Sequence, residues 1–122
     1  MTGSKAVRAL VVGALLLSAP FAAFAQRLAN GNDWVKSSSD EKRAYLIGIG
    51  NAVTVGYDYD ARKVPAGQVT FARRAKDGLD GVTIAETVSR IDAWYQANPT
   101  KLDYSVIAVM WLDIAKPKLT KK

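Results

Sequence analysis

Gly81-Val82-Thr83-Ile84-Ala85-Glu86-Thr87-Val88-Ser89-Arg90-Ile91-Asp92-Ala93-Trp94-Tyr95-Gln96-Ala97-Asn98-Pro99 carries its own helix start, apolar stripe and stop. Thr83 and Glu86 have capping-box spacing: the hydroxyl can accept the Glu86 backbone N–H while the carboxylate reaches back to that of Thr83. Ile84, Val88, Ile91 and Tyr95 recur along one face of a 3.6-residue period, and Asn98-Pro99 disfavours continuation. The stretch predicts one amphipathic helix whose stripe needs partners of the same kind.

Those partners lie on either side. Downstream, Asn98 to Lys101 turns the chain and Asp103 is the expected N-cap of a final helix with Val106, Ile107, Met110, Trp111 and Ile114. Tyr104 to Leu112 is strongly apolar but far short of the ~20 residues of a membrane span, so it is expected to be the most buried helix. Lys116-Pro117-Lys118 is the expected stop, followed by a basic tail to Lys122. Upstream, Ser38 and Glu41 form a second capping box, opening a long helix from about Ser39 to Asp60. Gly48, Ala52 and Gly56 make a small-residue ridge along it, expected to admit another helix of this chain or of a second copy in a homodimer. Gly50-Asn51 is a candidate kink. Between the two helices, Arg62 to Gly81 is a connection with a candidate short helix around Val69 to Lys76, where Thr70 can cap and Arg73, Arg74 and Lys76 are expected to face solvent. Asn30 to Asp33 are turn formers ahead of Trp34, an expected core anchor. The fold class is therefore all-α: a small bundle of three main helices with a candidate short fourth.

Lys5 and Arg8, the uncharged run Ala9 to Ala25 and the Ala23-Phe24-Ala25 end have the form of a secretory signal peptide, predicting cleavage after Ala25. Residues 26–122 then form one domain with a basic C-terminal tail, exported to the periplasm or beyond and not transmembrane once cleaved. Removing Lys5 and Arg8 lowers the formal charge of +6 by two, too little to demand an anionic partner. No aromatic-interleaved basic stripe points to nucleic acid. With no cysteine and no histidine, thiol nucleophiles, Ser-His-Asp triads, His or thiolate metal sites and disulfides are closed. Stability must come from packed apolar side chains, at roughly 1.5–3 kcal/mol for each large one fully buried.

The chemistry-bearing cluster is Gly56 to Arg62. Asp58 and Asp60 would converge as an acid/base pair only if the helix ended between them, and two carboxylates are too few for a Ca²⁺ loop. Gly48-x-Gly50 lacks the third glycine and preceding strand of a dinucleotide fingerprint. No catalytic residue, metal site or cofactor is assigned, and the expected role is non-enzymatic. The candidate binding residues are Tyr57, Asp58, Asp60, Arg62, Arg73 and Arg74, since tyrosine and arginine are enriched among interface anchors.

Arg43 to Ala52 resembles a Gly-Tyr-x-x-Gly helix, and Gly81 to Pro99 resembles a Val-Thr, amphipathic helix, His-Pro segment, of the Tai-type immunity proteins. The resemblance implies a small exported helical protein that binds and blocks a peptidoglycan-cleaving amidase toxin of type VI secretion. This chain departs from that pattern in lacking the family's cysteines and in having Asn98 where histidine often precedes proline. The expected function is a periplasmic protein-binding module, immunity-like in its specific form. The alternative is a structural or stress-related envelope protein contacting glycan, lipid or misfolded protein through its basic tail and apolar helices.

Overall fold

A computed structural model describes residues 27–121; the signal-peptide assignment to residues 1–25 lies outside them. The helical segments are α1 (Gly31–Lys36), α2 (Ser39–Lys63), α3 (Phe71–Leu79), α4 (Ile84–Ala97) and a terminal helix. That last one is α5 (Val106–Met110), a π turn (Trp111–Ala115) and α6 (Lys116–Leu119) in unbroken succession. Among the described residues there is no strand, only one antiparallel bridge between Asn30 and Ser105. The all-α expectation holds, with more helices than the three or four foreseen.

The added helix is α1, where turns were expected. Asn30 caps it, its side chain accepting the N–H groups of Asn32 and Asp33, while Asp33 accepts the Asn30 N–H at 3.1 Å. That is a capping box built from Asn and Asp in place of Ser and Glu. Arg27 donates to both Asp33 oxygens at 2.9 Å; this hydrogen bonding, with that from the Asn30 backbone, lowers the Asp33 pKa. Gly31 is required here: a Cβ would stand 2.5 Å from Tyr95 Cε1 and 2.9 Å from the Leu102 backbone.

Trp34 projects from α1 into the core at 3% exposure. Its indole N–H donates to Asp92 Oδ1 at 2.7 Å, the same oxygen that receives the Lys42 ammonium at 2.9 Å. One α4 carboxylate thus joins α1 and α2. The α2 capping box forms as expected, through Glu41 N–H to Ser38 Oγ and Ser38 N–H to Glu41 Oε2. The helix runs uninterrupted past Gly48, Gly50 and Asp60 and ends before Pro65, which disfavours helical conformation at the preceding residue.

The main stripe, on α4, lies at the centre. Ile91 is 0% exposed, Tyr95 2% and Thr87 5%. Around Ile91 and Tyr95 gather Trp34, Leu46, Val106, Val109, Met110 and Ile114. The Thr83 cap is half the expected box: Thr83 Oγ1 accepts the Glu86 N–H at 3.1 Å, while Glu86 Oε1 lies 3.9 Å from Arg90 Nη1. Asn98 ends the helix by donating its side-chain amide to Trp94 O at 2.8 Å.

Two expectations for the terminal helix are corrected. Its N-cap is Ser105, whose Oγ accepts the Ala108 N–H at 3.3 Å, not Asp103. Leu102 and Asp103 instead form a turn, closed by Tyr104 N–H donating to Lys101 O at 3.2 Å, and the bridge to Asn30, with Val106 N–H donating to Ala29 O at 2.8 Å, holds Ser105 outside the helix. Nor does Pro117 stop the helix. Proline lacks the N–H that would bond Asp113 O and crowds that carbonyl. The π turn opens the ladder, Lys116 N–H reaching back to Trp111 O, and the Arg90 guanidinium donates to Asp113 O. Arg90 also lies 3.5 Å from the Asp113 carboxylate. Burial is uneven: Val106 and Val109 are 0% exposed, whereas Tyr104 and Leu112 are 43% and 45% exposed.

Two glycines give opposite predictions. A Cβ on Gly78 would stand 2.7–2.8 Å from Ala115 Cβ, Cα and O, a backbone contact that cannot yield locally. Gly78→Ala should therefore destabilise by about 1–3 kcal/mol despite its better helix propensity. A Cβ on Gly50 would meet nothing within 4 Å, and Gly50 lines a space of about 150 Å³ together with Leu46, Ile49, Val82 and Met110. Gly50→Ala should stabilise by up to about 1 kcal/mol. Urea unfolding of the two variants checks both signs.

Tyr95 adds a pH dependence. Its hydroxyl donates to Tyr104 O at 2.7 Å, and burial, with a further contribution from Tyr45, pushes its pKa up to about 12. The neutral phenol is thus favoured in the folded state. The stability this gives is complete below the ordinary value of 10.0 and is lost as pH rises through about 12. Tyr95→Phe should reduce the alkaline fall in melting temperature across that window. At neutral pH it should cost only about 0.5–1.5 kcal/mol, because Tyr104 O also accepts the Gly31 N–H at 3.2 Å.

Candidate functional site

The C-terminal half of α2, the 64–70 connection and α3 enclose an open cleft of about 400 Å³. Its walls include Tyr57, Val69, Arg73, Arg74 and Asp77. Three of the six candidate binding residues, Tyr57, Arg73 and Arg74, therefore come together.

Arg73 has an internal task. Its Nη1 donates to Pro65 O and Gln68 O at 2.9 and 2.8 Å, and its Nη2 to Asp60 O and Val64 O at 3.1 Å each. All four terminal N–H donors of the fork are engaged, and the cation sits on the last carbonyls of α2, where the helix dipole favours it. Asp60 is buried at 9% exposure and accepts the Thr70 hydroxyl, the same oxygen that caps α3 by accepting the Arg73 N–H at 3.2 Å. Together these two residues fix the connection onto the helix end. They differ in this from Tyr57 and Arg74, which are left to shape the surface. The Lys76 ammonium lies 4.7 Å from the Tyr57 ring centroid.

Asp58 and Arg62 are exposed on the opposite, outward side of α2. Because α2 continues to Lys63, Asp58 and Asp60 sit on one regular helix, one in solvent and the other buried. They do not converge as a carboxylate pair. Among the described residues, no group of three or more acidic side chains is placed to hold a metal ion. No described helix is long and apolar enough to cross a membrane.

Beside the cleft lies a feature that residue spacing did not reveal. Phe71, at the first turn of α3, stacks obliquely on Trp111 of the π turn with centroids 5.5 Å apart, and the Arg74 guanidinium stands 5.8 Å over the same indole. Phe71 remains 58% exposed and Val69, just ahead of it, 71%. Trp111 was expected in the most buried helix, yet it is only half-buried. The sequence carried one usable signal, the Thr70 cap, which places Phe71 and Arg74 three apart on one face of a short helix.

No protein-family model, curated protein or solved structure matches the chain. The site must be judged on its own chemistry.

Proposed function

We propose that the protein is a non-enzymatic protein-binding module of the bacterial periplasm, and that it binds through the surface formed by Phe71, Trp111, Arg74 and the adjoining cleft. The observation that carries this reading is the exposed Phe71–Trp111–Arg74 stack. Aromatic side chains and arginine dominate interface energetics, and here Phe71 and Arg74 stand on a helix whose start is tied to α2 through Asp60, Thr70 and Arg73, while Trp111 stands in the terminal helix. Preorganisation of that kind lowers the ordering cost of binding. Export is supported by the signal-peptide pattern of residues 1–25. In its specific form, supported by the resemblance of residues 43–52 and 81–99 to Tai-type immunity proteins, the partner is a cell-wall amidase toxin.

Capture from periplasmic extract with the wild type and with Arg74→Glu, at low and high salt, tests this. The wild type should retain a defined protein at both salt concentrations. Arg74→Glu should weaken that complex by about 2 kcal/mol or more, the size expected of an interface anchor. If the only binding is to anionic lipid or glycan and disappears at high salt, the basic tail is the active feature and the proposal fails.

A further inference from the structure

The small-residue ridge of α2 does not receive a helix from its own chain along its length. Only Gly56 turns inward, where a Cβ would stand 3.1 Å from Ala72 Cβ; Gly48 and Ala52 are exposed, and a Cβ on Gly48 would meet nothing within 4 Å. On the same outward side stand Ala44, Ile47, Asn51, Val55 and Tyr59, all exposed, with Ile47 at 47%, Val55 at 69% and Tyr59 at 58%, beside the exposed charges of Asp58 and Arg62. The opposite side already contributes Tyr45, Leu46 and Ile49 to the core. α2 thus carries an exposed apolar stripe on its outward side in addition to its buried one, and a contiguous exposed apolar patch marks a contact surface.

Charge at the two ends of this stripe points to what covers it. Exposed Asp40 and Glu41 open α2, and exposed Arg62 and Lys63 close it. Among the described residues Asp40, Arg62 and Lys63 form no ion pair. An identical helix laid antiparallel brings the acidic end of each against the basic end of the other. A two-fold axis between Asn51 and Ala52 sets Gly48 opposite Val55, Ala44 opposite Tyr59 and Asp40 opposite Lys63 of the second copy. Each large side chain then meets a small one. The Asn51 amide lies near the axis, where a polar side chain in an apolar seam fixes register. We propose that the outward face of α2 is the site of self-association, joining two copies of this chain through antiparallel α2 helices in an isologous contact. The face uses different residues from the Phe71–Trp111 surface, and the proposal does not rest on the one made for that surface.

Sedimentation equilibrium of the purified protein over a wide concentration range should show a reversible dimer. Val55→Glu should weaken it about tenfold or more, because each copy contributes the residue once, while circular dichroism melting confirms that the monomer stays folded. Asp40→Lys and Lys63→Asp should each weaken the dimer when alone by placing like charges together. Mixing the two variants should restore it, because the mixed dimer has opposite charges at both ends. A wild type that remains monomeric overturns the proposal. So does a dimer indifferent to Val55→Glu, and so does failure of the mixed variants to recover, which would contradict the antiparallel register.

Discussion

Ile91→Ala is expected to destabilise the protein by about 2–5 kcal/mol, the range for a large aliphatic side chain removed from a site that cannot collapse. Ile91 is 0% exposed on the central helix α4, surrounded by core residues from α1, α2 and the terminal helix. None of these elements is free to close the void, because α1 is held by the Asn30–Ser105 bridge and the terminal helix by Arg90. Small domains have only about 5–15 kcal/mol of stability in total, so the urea midpoint should fall by a large fraction. An unchanged slope of the transition would assign the effect to the folded state. A neutral substitution would mean that α4 is not the centre of the core.

Trp34→Ala should be of similar size, about 3–5 kcal/mol. The loss is both apolar and polar: an indole buried at 3% exposure disappears, together with its N–H donation to Asp92. Asp92 keeps the Lys42 ammonium at 2.9 Å, so the carboxylate is not stranded. Trp34→Phe separates the two contributions by keeping much of the packing and removing only the donor. Its cost should be about 1.5–3 kcal/mol, as for a hydrogen bond to a charged group. Equal effects of the two variants on the urea midpoint would show that packing of the indole contributes little.

The long amphipathic element and its ends were legible because caps and period 3.6 are local properties. Thr83 caps the helix, Ile91 and Tyr95 of the stripe are buried with Ile84 and Val88 partly so, and the helix ends at Asn98 as the spacing implies, although Glu86 turns to Arg90 instead of closing the box. α1 was not legible because Asn30 and Asp33 are also ordinary turn residues, and only the docking of Gly31 against Tyr95 decides between turn and helix. Pro117 misleads for a different reason: the carbonyl it leaves unpaired is served by Arg90 on another helix, a partner no local window contains. For α2 the sequence shows two apolar sides without saying which one turns inward, so it leaves open whether the ridge admits a helix of this chain or of a second copy; in the structure most of it faces out. The same limit applies at the site. Asp60, Arg62 and Arg73 share a polar segment of sequence, but tertiary contacts bury the first, expose the second and tie the third to four carbonyls.

Site-specific photo-crosslinking tests the central claim, that the Phe71–Trp111–Arg74 surface is where this protein meets its partner. A photoreactive phenylalanine analogue at Phe71, with the exposed Ser89 of α4 as the control position, should give one discrete heterologous protein adduct at Phe71 and none at Ser89 when irradiated in the periplasm. No adduct from Phe71, or the same adducts from both positions, would contradict it.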